Sequence, residues 1–215
     1  MIESSDPTQS LLTLDALYSA CEIQNKLMAD STVNKICETV SPGHCCIPWS
    51  LPSYIMMLNN RTSCYDITEE DVTSFKILLL DCAKFFNNLK LRADCYPNNL
   101  CEDLPNKCTK YNAVYKILYY LTDVNFLPMN YTRVHHGRLV LNYSMIFLPI
   151  ARSKDALPYY YNISSYPLKK DNIYVSAMDF GKFNYNFCFD NIFLIMELFF
   201  QVLKAHCLMI ALKQM

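Results

Sequence analysis

Cysteine is the residue that most constrains what this chain can fold into. The sequence has 11 cysteines in 215 residues, and nine of them fall between positions 21 and 108. This density is typical of a domain that folds in an oxidising extracellular or lumenal compartment. The nine candidate disulfide cysteines are Cys21, Cys37, Cys45, Cys46, Cys64, Cys82, Cys95, Cys101 and Cys108. One of them is left over unless Cys188 or a cysteine outside this chain completes the set, and the sequence does not fix the connectivity.

Two other interpretations of the cysteines are buried free thiols and a zinc site. A zinc site needs Cys-x-x-Cys pairs or cysteine and histidine at ligand spacing, whereas Cys45 and Cys46 are adjacent and only His44 stands beside them. His135 and His136 are also adjacent, and adjacent side chains on a regular element point apart. We therefore expect a solvated loop there, with neither a metal site nor a cofactor site.

Four N-glycosylation acceptors agree with an extracellular position. They are the Asn-x-Ser/Thr triplets that begin at Asn60, Asn130, Asn142 and Asn162. Residues 1–7 are acidic and polar, without the basic and apolar regions of a signal peptide. We expect the chain to be part of a longer protein whose upstream part carries a signal anchor or a first membrane helix.

Composition and charge argue against several functional classes. The net charge is −1 and the basic residues are scattered, so the chain lacks the basic stripe of a nucleic-acid binder. Three glycines are too few for phosphate-binding or dinucleotide-binding loops. Carboxylates show no special spacing, and any cysteine can be paired on paper with His44 or His135. We therefore expect no catalytic residues and no enzyme activity.

Apolar periodicity predicts helices in the first 121 residues. Helices are expected over about 10–28, over a short segment near 54–58, from about Asp66 to Phe86 and over 113–121. The third of these has the clearest start, because Thr68 and Asp71 have the spacing of a capping box. The stretches 41–46 and 87–105 are expected to be loops.

The second half of the chain favours strands. Candidate strands are residues 139–147 and 173–178, so helices precede strands and the expected fold class is α+β. We divide the chain into a polar tail (1–10), a cysteine-rich domain (11–181) and an apolar helix (182–215). Residues 191–212 are very apolar, but Glu197, Lys204 and His206 interrupt them. This segment could be a degenerate or truncated transmembrane helix.

Three stretches resemble the first extracellular domain of Dispatched proteins. They read CCIPWSLPSYI from residue 45, continuing to Cys64; DV from residue 71 through the helix to Ala83; and KCTKYNAVY from residue 107, continuing to Leu121. Dispatched belongs to the resistance-nodulation-division transporter superfamily, whose members include Patched and the Niemann-Pick sterol transporter.

The resemblance implies a ferredoxin-like porter-type ectodomain with disulfide-rich helical insertions, between the first and second membrane helices of a transporter. It implies release of a lipid-modified Hedgehog-type protein, with sterol as a further partner, and a membrane location with this domain on the extracellular side. The first membrane helix and the strand before Leu11 are expected to be absent, and Glu197 does not match the family's coupling carboxylate. The alternative is a secreted or membrane-attached cysteine-rich binding module, for protein or sterol, without transport activity.

Overall fold

A computed structural model describes residues 1–6, 8–96, 100–101, 103–122, 126, 140–150, 158–159, 168–170 and 173–175. The chain divides into two compact units. The first, which we call the helical unit, comprises Met1–Gln24, Trp49–Ile146 and Leu168–Val175. The second, the hairpin unit, comprises Asn25–Pro48, Phe147–Pro167 and Ser176–Met215.

The described elements begin with a strand, continue with helices that a two-stranded hairpin interrupts, and end with three strands. The helices are α1 (Leu14–Met28), α2 (Val33–Ile36), α3 (Leu51–Leu58), α4 (Glu69–Asn87), α5 (Asn106–Thr109) and α6 (Ala113–Lys116). Cys64–Asp66 and Lys110–Asn112 form 3-10 turns, and Ile117–Leu121 forms a π-helix. The strands are β1 (Ile2–Ser4), β2 (Thr39–Ser41), β3 (His44–Cys45), β4 (Tyr143–Ser144), β5 (Leu168–Lys170) and β6 (Ile173–Val175).

Helix α1 begins four residues later than its periodicity predicts. The Ser10 hydroxyl accepts hydrogen bonds from the backbone of Leu12 and of Leu141, and Leu11 N–H donates to the Leu141 carbonyl. Residues 10–12 are therefore held by a distant segment and not by a helical turn. From Leu14 onward the prediction is confirmed, with Leu17 and Cys21 buried.

Helix α4 confirms the sequence prediction at its start. Thr68 is the N-cap, its hydroxyl accepts from Asp71 N–H, and the Asp71 carboxylate accepts from Thr68 N–H. This reciprocal box satisfies backbone donors that have no partner inside the helix. Val72, Phe75, Leu79 and Cys82 are buried along one face, as expected, whereas Phe86 is only partly buried.

A four-stranded antiparallel sheet in the helical unit has the order β4-β1-β6-β5. Ile2 lies opposite Ser144 on one side and Val175 on the other, so β1 is an interior strand. The expectation that the strand before Leu11 is absent is therefore wrong, and the stretch read as a polar tail supplies a strand. Periodicity missed it because β1 has three residues and a single large apolar side chain, Ile2, which is buried.

The hairpin unit contains α2 and the β2–β3 hairpin. Residues 41–46, expected to be a loop, include the turn of this hairpin and β3, so that expectation is partly wrong. Gly43 has φ 82° at the turn, a conformation that glycine adopts without strain. The hairpin is defined by backbone pairing between β2 and β3. Strands of two or three residues are too short to show a periodic pattern in the sequence. Val33, Ile36, Ile150 and Tyr159 form the buried cluster beneath it.

The α+β class is confirmed as a mixture of helices and a small antiparallel sheet, with cysteine pairs at disulfide geometry. Within the two predicted strand regions, the structure describes strands at Tyr143–Ser144 and Ile173–Val175. The ferredoxin-like arrangement stays a prediction. No helix among the described residues combines the length and apolarity that a membrane span requires. The predicted apolar helix, 182–215, lies outside the described residues.

Candidate functional site

Disulfides join separate elements of the helical unit. Cys21 of α1 is bonded to Cys64, with 6.0 Å between the Cα atoms, and Cys82 of α4 is bonded to Cys108 of α5, with 5.5 Å. All four cysteines are buried. The structure also pairs Cys95 with Cys101, and in the hairpin unit Cys37 with Cys45. Cys46 is disulfide-bonded as well.

Six aromatic side chains of the helical unit form a connected series, which we call the aromatic cluster. Its members are Tyr54, Trp49, Tyr120, Tyr119, Tyr115 and Phe86, which contacts Tyr115 at 6.0 Å between ring centroids. Trp49 contacts Tyr54 at 6.5 Å and Tyr120 at 6.0 Å between ring centroids. Tyr119 lies 4.7 Å from Tyr120 and is stacked on Tyr115 at 5.3 Å. These separations lie in the range at which aromatic pairs attract one another.

The aromatic cluster runs from the core to the surface. Trp49 and Tyr54 are buried, Tyr115 and Tyr120 are partly exposed, and Tyr119 is 60% exposed. The π-helix helps to explain this arrangement, because its wider turn changes the positions that 3.6-residue periodicity gives to Tyr119 and Tyr120. Tyrosine rings with accessible hydroxyls suit contacts with a protein or a lipid, where one part of the ring is dry and another is wet.

A buried lysine lies under the aromatic cluster. Lys116 is 5% exposed, and its Nζ lies 4.9 Å from the centre of the Trp49 ring. Burial lowers the pKa of Lys116 to about 7, because the charged ammonium is poorly solvated there. Burial also raises the pKa of Tyr115 to about 12 and, together with Tyr120, raises the pKa of Tyr54. The ring face of Trp49 attracts the cation and opposes part of the burial cost.

A backbone kink positions α6 and the π-helix that follows it. Tyr111 and Asn112 have φ values of 55° and 51°, in the left-handed region that asparagine tolerates better than most residues. Asn112 is buried, and its Nδ2 donates to the carbonyls of Arg92 (2.9 Å) and Ala93 (2.7 Å). The kink is therefore held by the loop that follows α4.

The predicted glycosylation acceptors differ in their surroundings. Asn60 is exposed at the end of α3, whereas Asn142 is partly buried just before β4. Asn130 and Asn162 lie outside the described residues.

Potential metal ligands come together among the described residues at Asp94, Cys95 and Cys101. The two sulfur atoms are bonded to each other in the structure, so they could act as thiolate ligands only after reduction. His44 is exposed on the hairpin, and His135 and His136 lie outside the described residues.

Sequence reasoning located the cysteines and acceptor asparagines but missed the aromatic cluster and Lys116. Tyr115, Tyr119 and Tyr120 were visible as a group spaced by four and five residues. That spacing predicts one shared helical face for Tyr115 and Tyr119. The contact of Lys116 with Trp49 joins residues 67 positions apart and has no local signal.

Known proteins with similar sequences decide the family. The chain is 37% identical over 175 residues to "Protein dispatched" of Drosophila melanogaster, an alignment that covers 81% of this chain. It is 32% identical over 190 residues to human "Protein dispatched homolog 1", covering 84% of this chain. It is also 32% identical over 180 residues to mouse "Protein dispatched homolog 2", covering 80%. The chain belongs to the Dispatched family.

The similarity covers only a small part of each Dispatched relative. The chain spans 14% of the fly protein, 12% of the human protein and 13% of the mouse protein. No protein-family model matches the chain. The stretches that resemble Dispatched in sequence contribute Trp49, the Cys82–Cys108 bridge and Asn112, so they supply much of the frame around the aromatic cluster.

Proposed function

We propose that this chain is the extracellular domain of a Dispatched-like membrane transporter that releases a lipid-modified Hedgehog-type protein from producing cells. The observation that carries the proposal is the similarity to Dispatched proteins over about four fifths of the chain. In this proposal the domain has the porter-type architecture of the family and no enzymatic role. It acts by binding, and other parts of the parent protein couple transport to ions.

Two features support the extracellular placement. Disulfides persist in oxidising compartments, and the structure contains the bridges Cys21–Cys64, Cys37–Cys45, Cys82–Cys108 and Cys95–Cys101. The acceptor Asn60 is exposed, as a glycan-bearing side chain must be.

The aromatic cluster is the surface that we propose contacts the lipid-modified partner. Tyr119 is exposed, and Tyr115 and Tyr120 extend its apolar area toward buried Trp49. Aromatic rings bury large areas on binding, and tyrosine loses little conformational freedom because its side chain has two rotatable angles. Sterol attached to the partner or free in the membrane is the ligand chemistry that fits this surface.

A chimera tests the proposed function. The matching 175-residue segment of the fly protein is replaced by the aligned part of this chain in Dispatched-deficient cells, and lipid-modified Hedgehog released into the medium is measured. We expect release above that of cells with no Dispatched. Tyr119→Ala should reduce release, whereas Ile77→Ala, at another exposed apolar position on α4, should leave it unchanged. A correctly folded, surface-located chimera without release activity would contradict the proposal.

The alternative, a secreted or membrane-attached binding module without transport, gives different results. The native protein would be extracted with buffer if it is secreted, and with detergent if it is held in the membrane by its parent chain. Saturable binding of cholesterol by the isolated chain would favour a sterol-binding module. Equal release by the chimera and by its Tyr119→Ala variant would show that the aromatic cluster is not the surface that contacts the lipid-modified partner.

A further inference from the structure

We propose that Asn60 carries an N-linked glycan, that Asn142 does not, and that the turn from α3 to Cys64 consequently faces solvent in the parent protein. This inference rests on the proposed extracellular placement. It compares the two acceptor triplets that the structure describes, which are equivalent by sequence pattern alone.

Asn60 lies in a turn that can carry a bulky group. It follows the C-cap of α3 with φ 53°, and its side chain is exposed. The next residue, Arg61, points to Asp71 and makes two hydrogen bonds of 2.9 and 3.1 Å with its carboxylate. Thr62 is also exposed and donates to Asp66 at 2.9 Å. The whole triplet is thus at the surface, and Arg61 and Thr62 help to hold its conformation through their bonds to Asp71 and Asp66.

The triplet at Asn142 is built into the sheet. Ser144, which completes it, is fully buried in β4 and lies opposite Ile2 of β1. The Asn142 carbonyl accepts from Ser4 N–H at 2.8 Å, and its side-chain Oδ1 is shielded from solvent. A glycan must stay in water after folding, so at this position it would compete with the pairing of β1 and β4.

The backbone role of Asn60 is the alternative explanation for its identity. Asparagine is favoured in the left-handed conformation that ends many helices, so the residue could be present for the turn alone. That role requires Asn60 but sets no requirement for a hydroxyl at position 62. Changes at Thr62 therefore separate the two explanations while they leave the turn residue in place.

Glycosylation also restricts how the parent protein can be assembled. A bulky, hydrated group on Asn60 prevents the turn between α3 and Cys64 from packing against a membrane surface or a neighbouring domain. The aromatic cluster, whose exposed member is Tyr119 on the π-helix, carries neither of these two acceptors.

The experiment measures occupancy at each acceptor in secreted protein. The full chain is directed to the secretory pathway of eukaryotic cells with a cleavable signal peptide and carries an appended acceptor triplet at its C-terminus, which reports delivery to the lumen. Glycosidase treatment in heavy-oxygen water converts each occupied asparagine to labelled aspartate, which mass spectrometry quantifies site by site. We expect occupancy at Asn60 and none above background at Asn142.

Matched variants complete the test. Thr62→Ala should abolish modification of Asn60, and Thr62→Ser should retain it, whereas Ser144→Ala should leave total glycan mass unchanged. An unmodified Asn60 in molecules whose appended acceptor is modified would overturn the inference, and so would equal occupancy at Asn142. Because the signal peptide imposes lumenal delivery, either result would leave the proposed transporter function standing; that function fails separately, in the chimera assay.

Discussion

The helical unit and the hairpin unit use disulfides differently. In the helical unit, two long bridges, Cys21–Cys64 and Cys82–Cys108, span 43 and 26 residues, and all four of these cysteines are buried. This unit also has one short bridge, Cys95–Cys101, which spans 6 residues. In the hairpin unit, Cys37–Cys45 spans 8 residues, and both cysteines are partly exposed. Long bridges restrict the unfolded chain more than short ones, and exposed bridges are more open to attack by thiols.

The two units also differ in how far their packing depends on the disulfides. The helical unit buries Trp49, Phe75 and Leu79 among many other apolar side chains, so its bridges reinforce elements that already pack. In the hairpin unit the described buried cluster is small, and Cys37 and Cys45 themselves pack against it. There the short bridge supplies part of the core as well as a covalent link.

Removing the longest described bridge should have the largest effect. Cys21→Ala with Cys64→Ala should lower the free energy of unfolding by about 4 kcal/mol, because the unfolded chain regains the freedom of a long loop. Cys37→Ala with Cys45→Ala should cost about 2.5 kcal/mol on the same loop-entropy relation. Urea unfolding of the two double variants measures both values. A larger loss of unfolding free energy for the Cys37–Cys45 variant would show that loop length does not determine how much each bridge stabilises the protein.

Partial reduction checks the same contrast without mutation. At low thiol concentration, Cys37 and Cys45 should be alkylated before Cys21 or Cys64, because solvent reaches their sulfur atoms more easily. Peptide mapping of alkylated cysteines gives the order. Simultaneous labelling of both bridges would mean that accessibility in the folded state does not control their reduction.

Asn112 tests whether the helical unit depends on its backbone kink as well as on its bridges. Asn112→Ala should destabilise by about 3 kcal/mol, from two lost hydrogen bonds and the cost of a left-handed alanine. Asn112→Gly should recover about 1 kcal/mol of this, because glycine adopts positive φ freely. Urea unfolding again gives the values. Equal losses for alanine and glycine would show that φ at this position does not matter.

The sequence predicted the elements whose stabilisation is local. Thr68 and Asp71 are three residues apart and make the capping box that starts α4, and Val72, Phe75 and Leu79 follow at helical spacing. Both signals lie within one window of the chain, so periodicity and capping rules were sufficient. The cysteine density likewise indicated disulfides, although it could not indicate that Cys82 would pair with Cys108.

The features that the sequence missed depend on contacts between distant segments. Strand β1 has three residues and is identified only by pairing Ile2 with Ser144 and Val175. Lys116 looks like any helical lysine until Trp49 covers it. The π-helix changes the positions of Tyr119 and Tyr120, and no local pattern distinguishes it from an α-helix.

Lys116 gives the helical unit a pH dependence that sharpens its contrast with the hairpin unit. Its folded pKa of about 7 lies below the ordinary lysine value of 10.5, so between these values the unfolded chain binds more protons. Stability should therefore rise with pH, by about 2 kcal/mol from pH 7 to pH 9. Well below pH 7, where Lys116 is protonated in both states, stability should be insensitive to this group. Above pH 10 the tyrosines act in the opposite direction, because the raised pKa values of Tyr54 and Tyr115 keep them protonated in the folded state while the unfolded chain loses these protons. Stability should then fall as the pH rises further.

Lys116→Met is the control for this titration. Methionine keeps the length of the side chain and removes the charge, so the rise between pH 7 and pH 9 should disappear and stability at pH 7 should increase. Urea unfolding at each pH, in protein with all disulfides intact, measures the difference. A variant with the same pH profile as the original chain would assign the titration to another group.

The smallest expected effect separates local capping from the bridges. Thr68→Ala should lower stability by about 1 kcal/mol, because Asp71 N–H loses its hydroxyl acceptor at the start of α4. Thr68→Ser keeps that acceptor and should cost much less. Hydrogen exchange should show faster opening of the first turn of α4, while protection near Cys82, which the bridge to Cys108 holds, should fall only in line with global stability. If the alanine variant instead loosened the Cys82 region as much as the first turn, α4 would open as one unit, and the buried bridge would not anchor its far end independently of the cap.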